Sequence, residues 1–389
     1  MKVKIKVKPE DFVVEEIANL PFVKKGDYAV YLLEKKGRNT VELLKEIAQR
    51  SKIQFKYFSY GGRKDKYGLT SQYITIKNPK IIELKEKDYS LKFIGLMGKP
   101  MAPALIKENK FKITIRDLNI EDVKKALIIM EEVNSLGFPN YFDDQRFGSF
   151  DSRQGFFAEK ILKNQFNGAL KIFLTSTNAN ERKEDRDRKQ YFFDNWRDWK
   201  ACKLKAKTDF EKNSFDLLSA KPNNFLEVLK LIPHEALATY FSSYQSFLWN
   251  EVLRNIILTF SKYKTFHYPG VCGEYVFYES LDEDSYRYLN GLNLPVPGNK
   301  PSLPDCIAQE AYDKVLEQNG IKNPMFNKIK LRRAFFKSFL RKAIVKPQGL
   351  EYNVVDDELY SRKKKLVLSF MLLRGSFATM FIKRIFSNK

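Results

Sequence analysis

The spacing of apolar residues changes period along this chain, and this change limits the folds that the chain can adopt. Residues 3–7 alternate valine or isoleucine with lysine, which is the period of a strand, and Pro9 ends the alternation. From about residue 190 to Arg341, apolar spacings of three and four predict helices, most clearly in residues 236–258. Residues 365–373 predict another strand, followed by a short helix. The pattern therefore predicts strands at both ends of the chain and a mainly helical middle.

Local signals in the first third predict mixed strands and helices. Gly61-Gly62 interrupts a strand, Asn119 caps a helix, and Gly137 ends that helix. Residues 176–190, STNANERKEDRDRKQ, contain almost no apolar side chain, so we expect an exposed loop or linker there. The other predicted elements of the first third are strands at residues 27–33, 55–60, 71–77 and 111–115, and a helix capped by Asn39 or Thr40.

Length and charge indicate the class of protein. A chain of 389 residues exceeds the ~250 to 300 residues that one hydrophobic core organises, so we expect two domains. Lysine and arginine number 69 against 47 aspartate and glutamate, which gives a net charge of +22. Nucleic acid, an anionic membrane surface or a generally lysine-rich proteome would each explain this charge. The 32 Phe and 20 Tyr favour a nucleic acid, because its bases stack on aromatic rings.

The cysteines and the apolar runs indicate the cellular compartment. Cys202, Cys272 and Cys306 are isolated and odd in number, which argues against a disulfide framework and a structural zinc site. The N-terminus lacks the continuous apolar stretch of a signal peptide, and the longest apolar runs are too short to span a bilayer. We therefore expect a cytoplasmic protein with no membrane partner.

One acidic residue stands among cations in residues 61–72, GGRKDKYGLTSQ. Asp65 lies between Lys64 and Lys66 in a glycine-bounded loop that joins two predicted strands. Nearby cations favour the ionised form of a carboxylate, which is the form that a nucleophile or a general base requires. The same composition is ordinary at the solvated tip of a hairpin, and spacing alone does not decide between the two interpretations.

A second segment, residues 137–148, GFPNYFDDQRFG, places four aromatic residues around an Asn, a Gln and an Arg. This composition suits a flipped base, which needs a stacking face and hydrogen bonds to its edges. The alternative is a buried loop whose aromatic residues belong to the core, and for any single Phe this is the better interpretation. Asp143 and Asp144 are adjacent and would point to opposite sides of an extended segment, so they make a poor paired-carboxylate site.

Two further stretches, YQSFLWN at residues 244–250 and RGSFAT at residues 374–379, are weaker signals. The second places a glycine and a hydroxyl at a helix start, which suits a phosphate or a turn. His234 and His267 are the only histidines, and the HExxH, GxxxxGK and GxSxG motifs are absent. A metal hydrolase and a Ser-His triad are therefore disfavoured, and we expect no metal site.

Taken in order, these stretches resemble the TruD family of tRNA pseudouridine synthases. The resemblance begins at KPEDFVVEE, residues 8–16, and includes LPVPG at residues 294–298. Between and after these come GGRKDKYGLTSQ, FPNYFDDQRFG, YQSFLWN and RGSFAT. The linear order of six stretches, which cover nearly the whole chain, is more specific than any one of them.

The resemblance implies functional residues at the positions that match the family motifs. The catalytic aspartate of the family's GxKD(K/R) loop corresponds to Asp65. Asn140 and Phe142 correspond to the Asn and the Phe that approach the target base, and Lys8 to a basic residue that lines the cleft. The whole predicted substrate-binding set is Lys8, Phe12, Lys64, Lys66, Asn140, Phe142, Gln145 and Arg146.

The resemblance also implies the fold and the activity. The implied fold is α/β (α+β), a catalytic domain with a mixed, largely antiparallel sheet, interrupted by a mainly helical insertion domain. We expect residues 1–155 and 342–389 to form the catalytic domain, residues 156–341 the insertion, and the cleft between them to bind RNA. The implied activity is isomerisation of uridine to pseudouridine in tRNA, at uridine 13 as in bacterial members, through Asp65. No cofactor, metal or obligate protein partner is implied.

Two other functions fit parts of the sequence. A non-catalytic RNA-binding protein of the same fold would share the charge and the aromatic residues. It is separated from an enzyme by the intact Asp65 loop and, experimentally, by release of tritium from C5-labelled uridine. A nuclease is disfavoured because acid clusters and paired histidines are missing, and RNA chain length after incubation tests it.

Overall fold

The chain divides into two compact units, each described here by itself. The computed structural model describes residues 3–77, 81–178, 181–260, 265–331 and 335–387. The first unit consists of Met1–Phe138 and Val345–Lys389, and the second of Pro139–Ile344. The boundaries predicted after residues 155 and 341 therefore both lie inside the second unit.

The N-terminal part of the first unit alternates strands with two helices. In chain order its elements are β1 (Phe12–Ala18), β2 (Phe22–Val23), β3 (Tyr28–Lys36), α1 (Thr40–Ser51), β4 (Phe58–Tyr60), β5 (Leu69–Lys77), β6 (Leu84–Lys85), β7 (Tyr89–Met97), β8 (Ile106–Leu118) and α2 (Ile120–Leu136).

The second unit is mainly helical, and the chain then returns to the first unit. After β9 (Phe138–Pro139) come α3 (Phe157–Leu162), α4 (Phe166–Thr175), α5 (Lys183–Asp194), α6 (Trp199–Lys205), α7 (Asp209–Ala220), α8 (Phe225–Leu229), α9 (His234–Phe260), β10 (Thr265–Gly270), β11 (Gly273–Tyr278), α10 (Glu283–Gly291), β12 (Asn293–Pro295), α11 (Cys306–Gln318) and β13 (Leu340–Lys342). The last elements are β14 (Ile344–Val345), β15 (Gln348–Asp356), β16 (Lys364–Leu373) and α12 (Ala378–Ile385). Each helix among the described residues is too short or too polar to cross a lipid bilayer.

One large sheet organises the first unit. Its strand order is β15-β16-β8-β1-β5-β3-β7-β2, with β4 beside β5 and β6 beside β7. Only the β1–β5 pair is parallel among these neighbours of the described chain. The sheet is therefore mixed and largely antiparallel, as predicted. Alternate residues of β3, including Tyr31 and Leu33, pack with α1 in a buried apolar cluster.

The helix signals found in the sequence have clear structural counterparts. Asn39 caps α1, because its Oδ1 accepts the Val41 N–H at 2.9 Å. Asn119 and Asp122 form a capping box at the start of α2. Gly137 follows α2 with φ 75°, and a Cβ there would lie 2.7 Å from the Val345 carbonyl oxygen, so the position requires glycine.

The predicted N-terminal strand was wrong. The described part of residues 3–8 forms only an isolated bridge between Lys4 and Arg116. The physical reason is that Lys6 adopts a left-handed conformation, φ 61°, which ends the extended backbone. Residues 1 and 2 lie outside the described residues.

The loop predicted at residues 176–190 was wrong in its second half. Helix α5 begins at Lys183, whereas residues 179 and 180 lie outside the described residues. Ion pairs hold this polar helix, because Arg188 pairs with Asp185 at 2.6 Å and with Glu211 of α7 at 3.2 Å. The strand predicted at residues 55–60 is shorter than expected, since Phe55–Tyr57 form a 3₁₀ turn before β4.

Candidate active site

Three groups of the first unit hold Asp65, which lies in the loop between β4 and β5. Lys6 Nζ donates to the carboxylate Oδ2 and forms an ion pair with it. The Tyr67 backbone N–H donates to Oδ1 at 2.8 Å. Lys35 Nζ donates to the main-chain carbonyl oxygen of Asp65 at 2.6 Å. The carboxylate is 13% exposed, so it is largely enclosed but still open to solvent.

Lys6 has a left-handed backbone, φ 61°, and its side chain extends to Asp65. This conformation costs free energy in a residue other than glycine, and such strain is found preferentially at functional sites. The Lys6 Nζ also lies 4.2 Å from the centroid of the Phe12 ring. Phe12 is buried at the start of β1 and packs edge-on against Phe111 of β8. The predicted site residue Phe12 thus lies beside the cation that pairs with Asp65.

Lys35 is a buried cation on β3. Burial lowers the pKa of its ammonium to about 8, the neighbouring Asp65 carboxylate partly opposes this shift, and the Lys64 cation adds to it. The lysine remains mostly protonated at neutral pH. Its charge therefore contributes to the positive field around Asp65.

Lys64 points away from the Asp65 carboxylate. Its side chain is 9% exposed, and Nζ lies 2.8 Å from Oε2 of Glu16 on β1. Lys64 also donates to Oδ1 of Asn109 on β8. The other carboxylate oxygen of Glu16 accepts the Tyr73 N–H at 3.1 Å. Lys64 thus ties the loop to the sheet through the KPEDFVVEE segment.

Lys66 and Lys8, the other two predicted lysines, are exposed. Lys66 Nζ lies 5.7 Å from the centroid of the Tyr67 ring. Lys8 Nζ lies 3.7 Å from a carboxylate oxygen of Glu358. Both ammonium groups are accessible to solvent. Neither of them pairs with the Asp65 carboxylate, which instead pairs with Lys6.

Asn140 in the second unit is held by Arg341. The guanidinium donates to the Asn140 main-chain oxygen at 2.6 Å and to its Oδ1 at 2.7 Å. The Asn140 amide nitrogen donates to the Lys342 carbonyl at 3.1 Å. Burial lowers the pKa of Arg341 to about 9, and the nearby Arg146 cation adds to this shift. Arg341 therefore remains protonated at neutral pH and fixes residues 140–142, the NYF segment.

Phe142 is buried, with 2% of its surface exposed. The Arg341 guanidinium lies 4.1 Å from its ring centroid, and that of Arg146 lies 5.4 Å away. Trp249 approaches the ring edge-on, with centroids 5.5 Å apart. Of the remaining predicted residues, Gln145 and Arg146 are exposed, although burial around the guanidinium lowers the pKa of Arg146.

The YQSFLWN stretch of α9 holds the NYF segment. The Asn250 amide accepts the Phe142 N–H and donates to the Phe142 carbonyl, both at 2.8 Å. Gln245 of the same stretch donates to the Pro297 carbonyl of LPVPG at 2.6 Å. YQSFLWN and LPVPG are therefore part of the scaffold around FPNYFDDQRFG.

Asp144 connects the same segment to the β10–β11 hairpin. Its Oδ1 accepts the Tyr275 hydroxyl at 2.9 Å and the Val271 N–H at 2.8 Å. Burial, together with the Asp144 charge, raises the pKa of the Tyr275 hydroxyl well above its usual range, so Tyr275 stays a donor. A cluster of His, Cys, Asp or Glu suited to a metal ion is absent from the described residues.

Comparison with known proteins identifies the family. The family model described as tRNA pseudouridine synthase D (TruD) matches residues 1–385. The chain belongs to the TruD family. It is 30% identical to the tRNA pseudouridine synthase D of Aquifex aeolicus over 397 residues, which cover 100% of this chain and 99% of that protein. It is also 30% identical to the tRNA pseudouridine synthase D of Leptospira interrogans, covering 98% and 95% of the two chains.

A solved structure supports the fold. The crystal structure of a TruD protein from Methanosarcina mazei matches with a TM-score of 0.72 at 24% identity, covering 100% of this chain and 94% of that one. The predicted TruD membership, the mixed fold and the enzyme class, a pseudouridine synthase and hence an isomerase, are confirmed. The roles of the individual site residues stay predictions.

Sequence reasoning did not find Lys6, Lys35 or Arg341. Lys6 and Lys35 are 59 and 30 positions from Asp65 in sequence, and Arg341 is 201 positions from Asn140. One signal was available for Lys35, because it continues the buried side of β3 where an apolar residue is expected. Lys6 and Arg341 are surrounded by other basic residues, so neither is distinctive in sequence.

Proposed function

We propose that this protein isomerises uridine to pseudouridine in tRNA, with Asp65 as the catalytic carboxylate and uridine 13 as the target. The observation that supports the assignment is the enclosed Asp65 carboxylate. One of its oxygens is bound by the Lys6 ammonium and the other by the Tyr67 N–H. A carboxylate held in this way loses little freedom when it reacts, which is the advantage of a preorganised site.

The chemistry needs only groups that Asp65 and the substrate supply. The N1–C1′ bond of uridine breaks, the uracil turns, and a C5–C1′ bond forms while the proton on C5 is lost and N1 is protonated. Oxidation state and phosphate content do not change, so we propose a reaction without cofactor. Asp65 would act as a nucleophile at C1′ or C6, or as a base on a glycal route.

Base recognition is proposed for the residues of the NYF segment and its neighbours. A uridine in folded RNA must leave its stack, and an aromatic face recovers part of that cost. We propose Phe142 for this role, which requires a movement that uncovers its ring. Asn140, Gln145 and Arg146 would bind base edges or phosphate. Lys8, Lys64 and Lys66 would bind or position the RNA around Asp65, with Phe12 beside them.

Release of tritium from tRNA labelled at C5 of uridine tests the activity. Wild-type protein should release tritium, and a transcript with cytidine at position 13 should release none. Asp65→Asn preserves size but removes the charge, so turnover should be lost while tRNA affinity stays nearly unchanged. Asp117→Asn, which alters a partly exposed acid elsewhere in the first unit, serves as the matched control.

Each outcome of this experiment separates the candidate functions. Binding of tRNA without tritium release would favour the non-catalytic RNA-binding protein. Near-normal turnover in Asp65→Asn would refute the catalytic assignment of Asp65. Tritium release from the transcript with cytidine at position 13 would refute only the assignment of uridine 13 as the target. A cytoplasmic location also stays a prediction, which microscopy of a tagged full-length chain would test.

A further inference from the structure

We propose that Lys35 is a positioning residue that fixes Asp65 through its main chain, so that the carboxylate stays in place when its contact with Lys6 weakens during the reaction. The inference rests on the proposed catalytic role of Asp65. Lys35 is 1% exposed, and its Nζ donates to the Asp65 carbonyl oxygen at 2.6 Å.

The position of Lys35 on β3 is one that an apolar residue would normally occupy. Tyr31 and Leu33, on the same side of the strand, are completely buried against α1 and belong to the apolar cluster. The next residue with this orientation is Lys35. An ammonium in such a place loses its hydration, and a methionine would fill similar volume at a lower cost in free energy. A buried cation at an apolar position therefore needs a reason other than packing.

The hydrogen bond of Lys35 provides that reason. Lys6 and the Tyr67 N–H both bind carboxylate oxygens of Asp65, which are the atoms that attack or accept a proton. These contacts weaken as the carboxylate loses its negative charge during the reaction. Lys35 instead binds the main-chain carbonyl and leaves both carboxylate oxygens available. It can hold the loop with undiminished strength throughout the reaction, whereas the Lys6 contact weakens.

The β-strand register explains how Lys35 reaches the loop. Lys35 pairs with Thr70 of β5, two residues into the strand that follows the Asp65 loop. Lys36, its neighbour on β3, points to the opposite side and forms an exposed ion pair with Glu10. Lys35 is therefore the buried position to be tested, and Lys36, its neighbour on the same strand, is the exposed control.

Turnover of Lys35→Met compared with Lys36→Met tests the proposal in the full chain. A displacement of a reacting group by about 1 Å costs roughly 100-fold in rate, so we expect Lys35→Met to lower kcat by about that factor. KM for tRNA should change by less than about threefold, because the RNA contacts remain. Lys36→Met should retain the wild-type kcat.

Hydrogen exchange gives a readout that a general loss of stability would not produce. In Lys35→Met, the peptide covering residues 61–69 should exchange faster, while the α1 peptide at residues 40–51 should be unchanged. Lys35→Arg retains a buried donor and should recover part of kcat. If Lys35→Met does not fold, Lys35→Arg is compared with Lys35→Leu, which has no donor, and the arginine variant should turn over faster.

The outcomes distinguish this proposal from the proposed function. A folded Lys35→Met enzyme with wild-type kcat and unchanged exchange at residues 61–69 would overturn the role of Lys35. Equal kcat for the arginine and leucine variants would also overturn it. Neither result affects the assignment of Asp65, which depends on the Asp65→Asn measurement. Full activity in Asp65→Asn would refute the catalytic role of Asp65 and with it the positioning role of Lys35.

Discussion

Lys6 and Asp65 form an ion pair although 59 positions separate them in sequence. Lys6 has a left-handed backbone, φ 61°, and Asp65 lies in the loop between β4 and β5. Both side chains are mostly buried, so solvent screens their attraction less than it would at the surface.

Lys6→Met should lower kcat by about 10- to 100-fold, because the Asp65 carboxylate would lose the side-chain cation that orients it before the reaction. Steady-state tritium release measures the effect. Lys4→Met is the matched control, since Lys4 forms a more exposed pair with Asp117 in the same segment. Equal rates for the two variants would show that the Lys6 charge has no catalytic importance.

Gly68→Ala should damage the site, whereas Gly62→Ala in the same loop should not. A Cβ at Gly68 would lie 2.4 Å from the Phe12 carbonyl oxygen, while a Cβ at Gly62 would have no neighbour within 4 Å. Overpacking of this kind costs about 1 to 3 kcal/mol of unfolding free energy. Urea unfolding and kcat together test this prediction, and a stable, fully active Gly68→Ala enzyme would contradict it.

Arg341→Met should destabilise the second unit and slow turnover. The change leaves the buried Asn140 carbonyl without its guanidinium donors, at a cost of about 1 to 3 kcal/mol. Lys342→Met is the control, because that side chain is exposed. Thermal unfolding measures the first effect and tritium release the second. Wild-type behaviour in both assays would mean that Arg341 does not hold the NYF segment.

The stability contributed by Lys35 should depend on pH. Its pKa is about 8 in the folded chain, below its ordinary value of 10.5, so the unfolded chain binds more protons between these two values. The unfolding free energy of the wild type relative to Lys35→Met should therefore rise from about pH 8 to 10.5, by at most ~1.4 kcal/mol per pH unit. Urea titrations at pH 7, 8, 9 and 10 measure it. A difference that is flat or falls over this range would contradict the shift.

Binding of tRNA should weaken with salt. Each phosphate neutralised contributes a slope of about 0.7 to 0.9 to the log–log plot of affinity against salt concentration. Lys66→Glu and Arg146→Glu, which change exposed cations, should both lower the slope, whereas Asp65→Asn should leave it unchanged. Filter binding over a salt series decides this. Affinity that is independent of salt would refute the argument from the net charge of +22.

Much of the framework followed from local sequence. The cap of α1 at Asn39 and the end of α2 at Gly137 depend on hydrogen bonds and dihedral angles within a few residues, so local sequence specifies them. Strand β16 and the α9 helix likewise followed from apolar periodicity. The order of the six stretches indicated the TruD family, and one of those stretches contains Asp65.

The surroundings of Asp65 and Phe142 were decided only by tertiary structure. Alternation along β3 indicates that Lys35 is buried, but it does not indicate that the Lys35 ammonium binds the Asp65 carbonyl while the Lys36 ammonium faces solvent. The outcome depends on the register of β3 against β5, a long-range property of the sheet. Arg341 lies 4.1 Å from the Phe142 ring centroid although the helices of the second unit separate the two residues in sequence, and contacts between residues so distant have no local signature.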